Sequence, residues 1–125
     1  MIDNKSRNVL ALAYIGDGIY ELMVRTYLLE KGNFKVNDLQ HMAIKYVSAR
    51  AQRDILEKII NANILTDDEI NIIHRARNNT SGRHPKNTDI VTYKCATGLE
   101  ALFGYLYLEN DKDRLKELMN YVIGE

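Results

Sequence analysis

The sequence predicts an all-α bundle of about six or seven helices, forming a single domain over residues 1–125. Three observations lead there. Apolar residues recur at helical spacing along the whole chain, and strand-like alternation is absent. Proline occurs once, at Pro85, so the periodic segments on either side of it run without a helix breaker. The boundaries between those segments carry helix start and stop signals.

Each element follows from these signals in turn. The first segment covers about residues 8–30 and closes on Lys31-Gly32-Asn33. Asn37 is a candidate cap for a second helix reaching about Tyr46. A third covers residues 48–64, where Gln52, Arg53, Glu57 and Lys58 alternate with Ile55, Leu56, Ile59 and Ile60. Thr66-Asp67-Asp68-Glu69 reads as a capping box opening a fourth helix, which ends near Asn78. Residues 79–87 contain Gly82 and Pro85 and form the one clear loop. Asn87 or Thr88 then caps a very apolar fifth helix to about Leu108. Residues 111–122 make a last amphipathic helix with Leu115, Leu118, Met119 and Val122 inward.

Composition excludes several classes. With 125 residues, 46% hydrophobic and 27% charged, the chain can bury a core of ordinary size and is neither disordered nor fibrous. The single cysteine, Cys95, excludes an intramolecular disulfide and a cysteine-built zinc site, and its expected role is that of a small buried hydrophobe. The longest apolar run, residues 101–108, is far short of the ~20 residues that span a bilayer. The start MIDNKSRN lacks the apolar core of a signal peptide, so the expectation is a soluble, cytoplasmic protein. Lys plus Arg equals Asp plus Glu at 17 each. The charge is unevenly placed, however: between Asn71 and Lys94 five cations face one acid, Asp89. A polarised window on a neutral chain points to a local binding face.

The residues that a stability-only design would omit are two carboxylates. Asp17 sits within LALAYIGDGIYELMV and Glu100 within CATGLEALFGYLYL, both otherwise apolar. Burying a lone carboxylate costs several kcal/mol unless it is paired or bound to metal. Gly16 and Gly18 flank Asp17, and Gly98 and Gly104 bracket Glu100. A glycine inside a helix costs roughly 0.5–1 kcal/mol relative to alanine, which suggests two helices packed closely enough to bring the acids together. Two facing carboxylates are hard oxygen ligands suited to Mg²⁺ or Mn²⁺. The competing reading pairs each acid with a structural Arg or Lys, although no basic residue lies between Arg7 and Arg25 or between Lys94 and Lys112. Glu21, one turn after Asp17, either supports a metal or pairs with Arg25. Thr97 either orients a metal-bound water or bonds its own helix backbone.

These segments resemble a known family. LALAYIGDGIYELMVR is similar to the Gly-Asp helix of the ribonuclease III catalytic domain, and Glu100-Ala101-Leu102-Phe103-Gly104 resembles the core of its second motif. Full-length members carry further acids where this chain has Leu10, Ala13 and Thr97. Those losses resemble the bacterial Mini-ribonuclease III subgroup, the catalytic domain without a double-stranded-RNA-binding domain. Tyr46-Val47-Ser48-Ala49-Arg50-Ala51-Gln52, Arg75-Ala76-Arg77-Asn78 and Pro85-Lys86-Asn87-Thr88-Asp89 are also similar to that subgroup. The resemblance implies a ribonuclease III-type helical fold and a homodimeric endoribonuclease acting on double-stranded RNA. It further implies a role in maturing large-subunit (23S) ribosomal RNA precursor, on which a bound ribosomal protein is a further partner class. Metal-dependent hydrolysis, leaving 5′-phosphate and 3′-hydroxyl ends, would use Asp17 and Glu100 as both catalytic residues and ligands of Mg²⁺ or Mn²⁺.

A-form RNA is read mainly through backbone and shape. Without a separate RNA-binding module, the expected phosphate contacts are Arg75, Arg77 and Lys86, with Asn78 and Arg83 behind them. Lys45, Arg50 and Arg53 are candidates to extend that surface, and Tyr14, Tyr105 and Tyr107 to line a subunit interface. His41, His74 and His84 show no metal-ligand spacing. Two other classes compete with the nuclease: a non-catalytic RNA-binding or scaffold domain of the same fold, and a helical protein-interaction bundle.

Overall fold

Asn8 begins the first long helix by accepting hydrogen bonds on its side-chain oxygen from the Leu10 and Ala11 amides, at 2.8 and 3.2 Å. This satisfies two of the free N–H groups that open any helix. The computed structural model describes residues 3–79 and 89–124. Within them lie a short 3-10 turn at Asn4–Ser6 and six helices: α1 Val9–Lys31, α2 Val36–Val47, α3 Ala49–Asn61, α4 Asp67–Arg77, α5 Ile90–Leu108 and α6 Lys112–Ile123. No strand occurs among the described residues. The expected all-α class therefore holds.

Several boundaries differ from the expectation, each for a local reason. Helix α2 starts one residue before Asn37, from Lys35, which provides no side-chain cap, so Asn37 lies inside the first turn. Helix α3 stops at Asn61 rather than Ile64, because Asn63 takes a left-handed conformation (φ 57°), which asparagine tolerates better than most residues. The cap of α5 is Asp89, not Asn87 or Thr88: its carboxylate accepts from the Thr92 amide and the Thr92 hydroxyl, both at 2.8 Å. The Thr66–Glu69 capping box forms as predicted.

Helix α5 is the axis of the fold. Leu99, Ala101, Leu102 and Phe103 are fully buried, and the neighbouring helices supply Leu12, Tyr20 and Val24 from α1, Leu56 and Ile59 from α3, Ile72 from α4 and Leu118 from α6. Helix α2 packs through its partly buried Leu39, Met42 and Ala43. Helix α6 is also tied by charge. Arg114 donates to both oxygens of the buried Glu69, at 2.7 and 2.8 Å, and to the Ile64 carbonyl at 2.7 Å. Burial alone would raise the Glu69 carboxyl; hydrogen bonds from Arg114 and Thr66 outweigh it and hold that carboxyl below its usual range.

Candidate active site on helices α1 and α5

Two glycines set the distance between α1 and α5. A Cβ added at Gly16 would lie 1.6 Å from the Glu100 carbonyl oxygen, and one at Gly104 would lie 2.0 Å from the Leu12 carbonyl oxygen. The two backbones touch there, and no side chain larger than hydrogen fits. The other two glycines do not share this role. Gly18 faces open space, and Gly98 faces Arg77, Ile73 and Leu56 on α4 and α3. Tyr20 and Phe103, in edge-to-face contact at 5.1 Å, lock the same pair of helices one turn further along.

This close approach brings Asp17 and Glu100 together: their carboxyl groups are joined by a hydrogen bond. Asp17 is exposed, however, and Glu100 is only partly buried. The apolar surroundings in the sequence suggested a buried acid, but much of the apolar character of α1 lies on an uncovered face. Tyr14 is 85% exposed and Leu22 58% exposed, on either side of Asp17. Among the described residues, no Lys or Arg forms an ion pair with either acid. Burial, and then the hydrogen bond and negative charge of Asp17, push the Glu100 carboxyl up from 4.5 to about 8. A carboxyl raised this far keeps its proton at pH 7 when no cation is bound.

The donor set fits a hard divalent cation. Mg²⁺ is commonly held by one or two carboxylates and completes its shell with water and substrate phosphate. Among the described residues, no three His, Cys, Asp or Glu side chains converge, so the protein's own contribution there is the Asp17–Glu100 pair. The neighbouring candidates have other partners. Glu21 accepts from Arg25 at 2.9 Å, and the Thr97 hydroxyl donates to the Tyr93 carbonyl of its own helix at 2.9 Å.

One further residue belongs to this site. Gln52 of α3, grouped in the sequence with the polar residues of that helix, is 3% exposed. Its amide donates to the Val47 carbonyl at 3.4 Å and lies against the Glu100 carboxyl. The signal was present in the register: Gln52 precedes Ile55, Leu56 and Ile59 by three, four and seven positions, the spacing of the buried face.

The basic candidates fall elsewhere. Arg77 and Asn78 are exposed at the end of α4. The aliphatic stem of Arg77 lies against the position of Gly98, where an added Cβ would be 3.3 Å from its Cγ. Positions 98 and 100 are about 200° apart around a helix, so Arg77 and the carboxylate pair flank α5 rather than share a pocket. Arg75 is half-buried and donates to the Lys5 and Arg7 carbonyls, tethering the N-terminal turn. Arg83 and Lys86 lie outside the described residues. Arg53 donates to Thr92 at 3.0 Å, whereas Lys45 and Arg50 are exposed. Of the three tyrosines considered for an interface, Tyr14 and Tyr107 are exposed, while Tyr105 is buried at 7%. Cys95 is buried, as expected, and no helix among the described residues is long and apolar enough to cross a membrane.

Comparison with known proteins places this arrangement. Residues 10–111 match the family model of the ribonuclease III domain, a span that contains both acids and both close-packed glycines. The chain is 46% identical over 123 residues to a Mini-ribonuclease 3 of Enterococcus faecalis, covering 98% of this chain and 93% of that protein. It is 43% identical over 119 residues to one from Staphylococcus aureus, covering 95% and 89% respectively. A crystal structure of a Fusobacterium nucleatum protein superposes with a TM-score of 0.85 at 35% identity, covering all of both chains. Helices joined through Gly16 and Gly104, the acids they carry and these matches lead to one assignment: the chain belongs to the ribonuclease III family, in its Mini-ribonuclease 3 group.

Proposed function

We propose that this member of an endoribonuclease family cleaves double-stranded RNA with Mg²⁺, or Mn²⁺ in its place, held by Asp17 and Glu100. The observation that carries the reading is the adjoining carboxyl pair on touching helices, without an ion-pair partner among the described residues. A divalent cation at such a pair supplies a hydroxide nucleophile at neutral pH and stabilises developing phosphorane charge. Asp17 offers its oxygens at the surface, where a phosphate backbone has access. Glu100, anchored from α5, would supply the second carboxylate to a bound cation. Maturation of 23S ribosomal RNA precursor in the cytoplasm, with a ribosomal protein on the substrate, is the biological setting that fits this membership.

Action as a homodimer is part of the proposal. The uncovered apolar stripe of α1, with Tyr14 and Leu22 beside Asp17, fits an interface between copies, and a two-fold axis would match the symmetry of duplex RNA. The expected result is cleavage of a ribosomal-precursor stem only with Mg²⁺ or Mn²⁺, leaving 5′-phosphate ends, by a species that sediments as a dimer at micromolar concentration. Binding without cleavage would favour the scaffold alternative. Absence of both would remove RNA from the function.

The proposed RNA contacts are Arg75, Arg77, Asn78, Arg83 and Lys86. Arg77→Ala combined with Lys86→Ala is expected to weaken duplex binding with the fold intact. It should also reduce the slope of log affinity against log salt by about 0.9 per lost phosphate contact. Arg75→Ala should in addition loosen the N-terminal turn, since two of its nitrogens hold backbone carbonyls there. An unchanged salt slope in the double variant removes Arg77 and Lys86 from the interface.

A further inference from the structure

We infer that Gln52 is a positioning residue of the active site, a buried amide that holds the Glu100 carboxylate in the orientation needed for cation binding. The inference rests on the reading of Asp17 and Glu100 as the cation-binding pair. Gln52 comes from a third helix, so the site is built by α1, α3 and α5 rather than by the two acidic motifs alone.

The geometry is specific. An amide NH₂ has two protons. The Gln52 amide donates to the Val47 carbonyl at 3.4 Å and lies against the Glu100 carboxyl. Val47 is the last residue of α2, and Ser48 caps both the end of α2 and the start of α3. That corner is fixed independently by α1, because the Tyr20 hydroxyl donates to the Tyr46 carbonyl at 2.6 Å. The amide therefore sits between a rigid corner and a carboxylate. Tyr20 reaches the corner from the turn of α1 that follows Asp17.

The chemistry selects an amide there. A donor to one lone pair of Glu100 restricts the rotation of the carboxyl and leaves its other lone pairs free towards Asp17. A carboxylate at position 52 would add a third negative charge, and an apolar side chain would leave Glu100 and Val47 short of a donor. Groups that orient metal ligands typically change metal affinity by 10–100-fold when removed.

The test compares wild type with Gln52→Met, which keeps length and approximate volume but has no donor. Gln52→Asn serves as a second variant that keeps the amide and withdraws it by one methylene. Mn²⁺ affinity is measured by calorimetry without RNA, and cleavage is followed over a Mg²⁺ titration. Both variants are expected to bind Mn²⁺ roughly 10–100-fold more weakly. Their kcat should fall at fixed Mg²⁺, recover partly at high Mg²⁺, and leave the KM for duplex unchanged. In wild type, the Gln52 side-chain amide resonances should shift on adding Mg²⁺ and stay still in Asp17→Asn, a readout independent of how the variants fold. A lower melting temperature with unchanged Mn²⁺ affinity, or amide resonances that ignore Mg²⁺, assigns Gln52 to packing and overturns the inference. Wild type that binds no Mn²⁺ would instead overturn the cation-site reading beneath it.

Discussion

Asp17→Asn should abolish cleavage while leaving a folded protein that binds duplex RNA, and Glu100→Gln should do the same. The amide is nearly isosteric with the acid but neutral, and is a much poorer ligand for a hard cation. Loss of a site worth several kcal/mol in the transition state corresponds to roughly a thousandfold or more in rate. The stability of the two variants separates this role from a structural one. Removing half of a buried ion pair costs about 3–5 kcal/mol. Asp17 is exposed and has no basic partner among the described residues, so Asp17→Asn should melt within about 0.5 kcal/mol of wild type. For Glu100 the sign can be worked out. Its carboxyl is raised from 4.5 to about 8, so between those values the folded protein holds a proton that the unfolded chain releases. Metal-free wild type therefore loses stability as pH rises from about 4.5 to about 8. Glu100→Gln lacks that loss and should equal or exceed wild type near pH 8. Thermal melts across this range, run beside a cleavage assay, decide the matter. An Asp17→Asn protein that cleaves at the normal rate, or melts far below wild type, would show that Asp17 is not a ligand.

Gly16→Ala should be among the most damaging single substitutions in the chain, although it adds one methyl group. The new Cβ would meet the Glu100 carbonyl oxygen at 1.6 Å, its carbon at 2.6 Å and the Gly104 nitrogen at 2.8 Å. All three are backbone atoms of α5, so no side chain can turn aside, and the helices must separate. Overpacking costs about 1–3 kcal/mol where side chains can adjust, so a backbone clash should exceed about 3 kcal/mol and lower the melting temperature by roughly ten degrees or more. Separation of α1 from α5 also parts Asp17 from Glu100, so molecules that still fold should cleave poorly. Gly18→Ala is the internal control. Nothing lies within 4 Å of its Cβ, and the helix should gain roughly 0.5–1 kcal/mol. Equal melting temperatures for the two variants would mean that α1 and α5 are not in backbone contact.

The sequence by itself determined the helical class and most helix ends, and it singled out the two acids as candidates. These are local properties: periodicity, capping side chains such as Asn8 and Thr66, and carboxylates in apolar segments act over one or two turns. The family resemblance was legible for the same reason, since its motifs are contiguous. Tertiary structure decided which face of each helix is covered, and that is not a local property. Leu22 is as apolar as Leu12 and Val24, yet it is exposed while they are fully buried, because α5 lies against only one side of α1. Hence Asp17 lies at the surface and Gly18 is open, although the sequence around them suggested burial. Arg75 proved to hold the N-terminal turn, and Gln52 to lie beside Glu100, because their partners stand 68 and 48 positions away, at Arg7 and Glu100. Contacts over such separations are fixed by how the helices stack, and spacing within one helix carries no record of them.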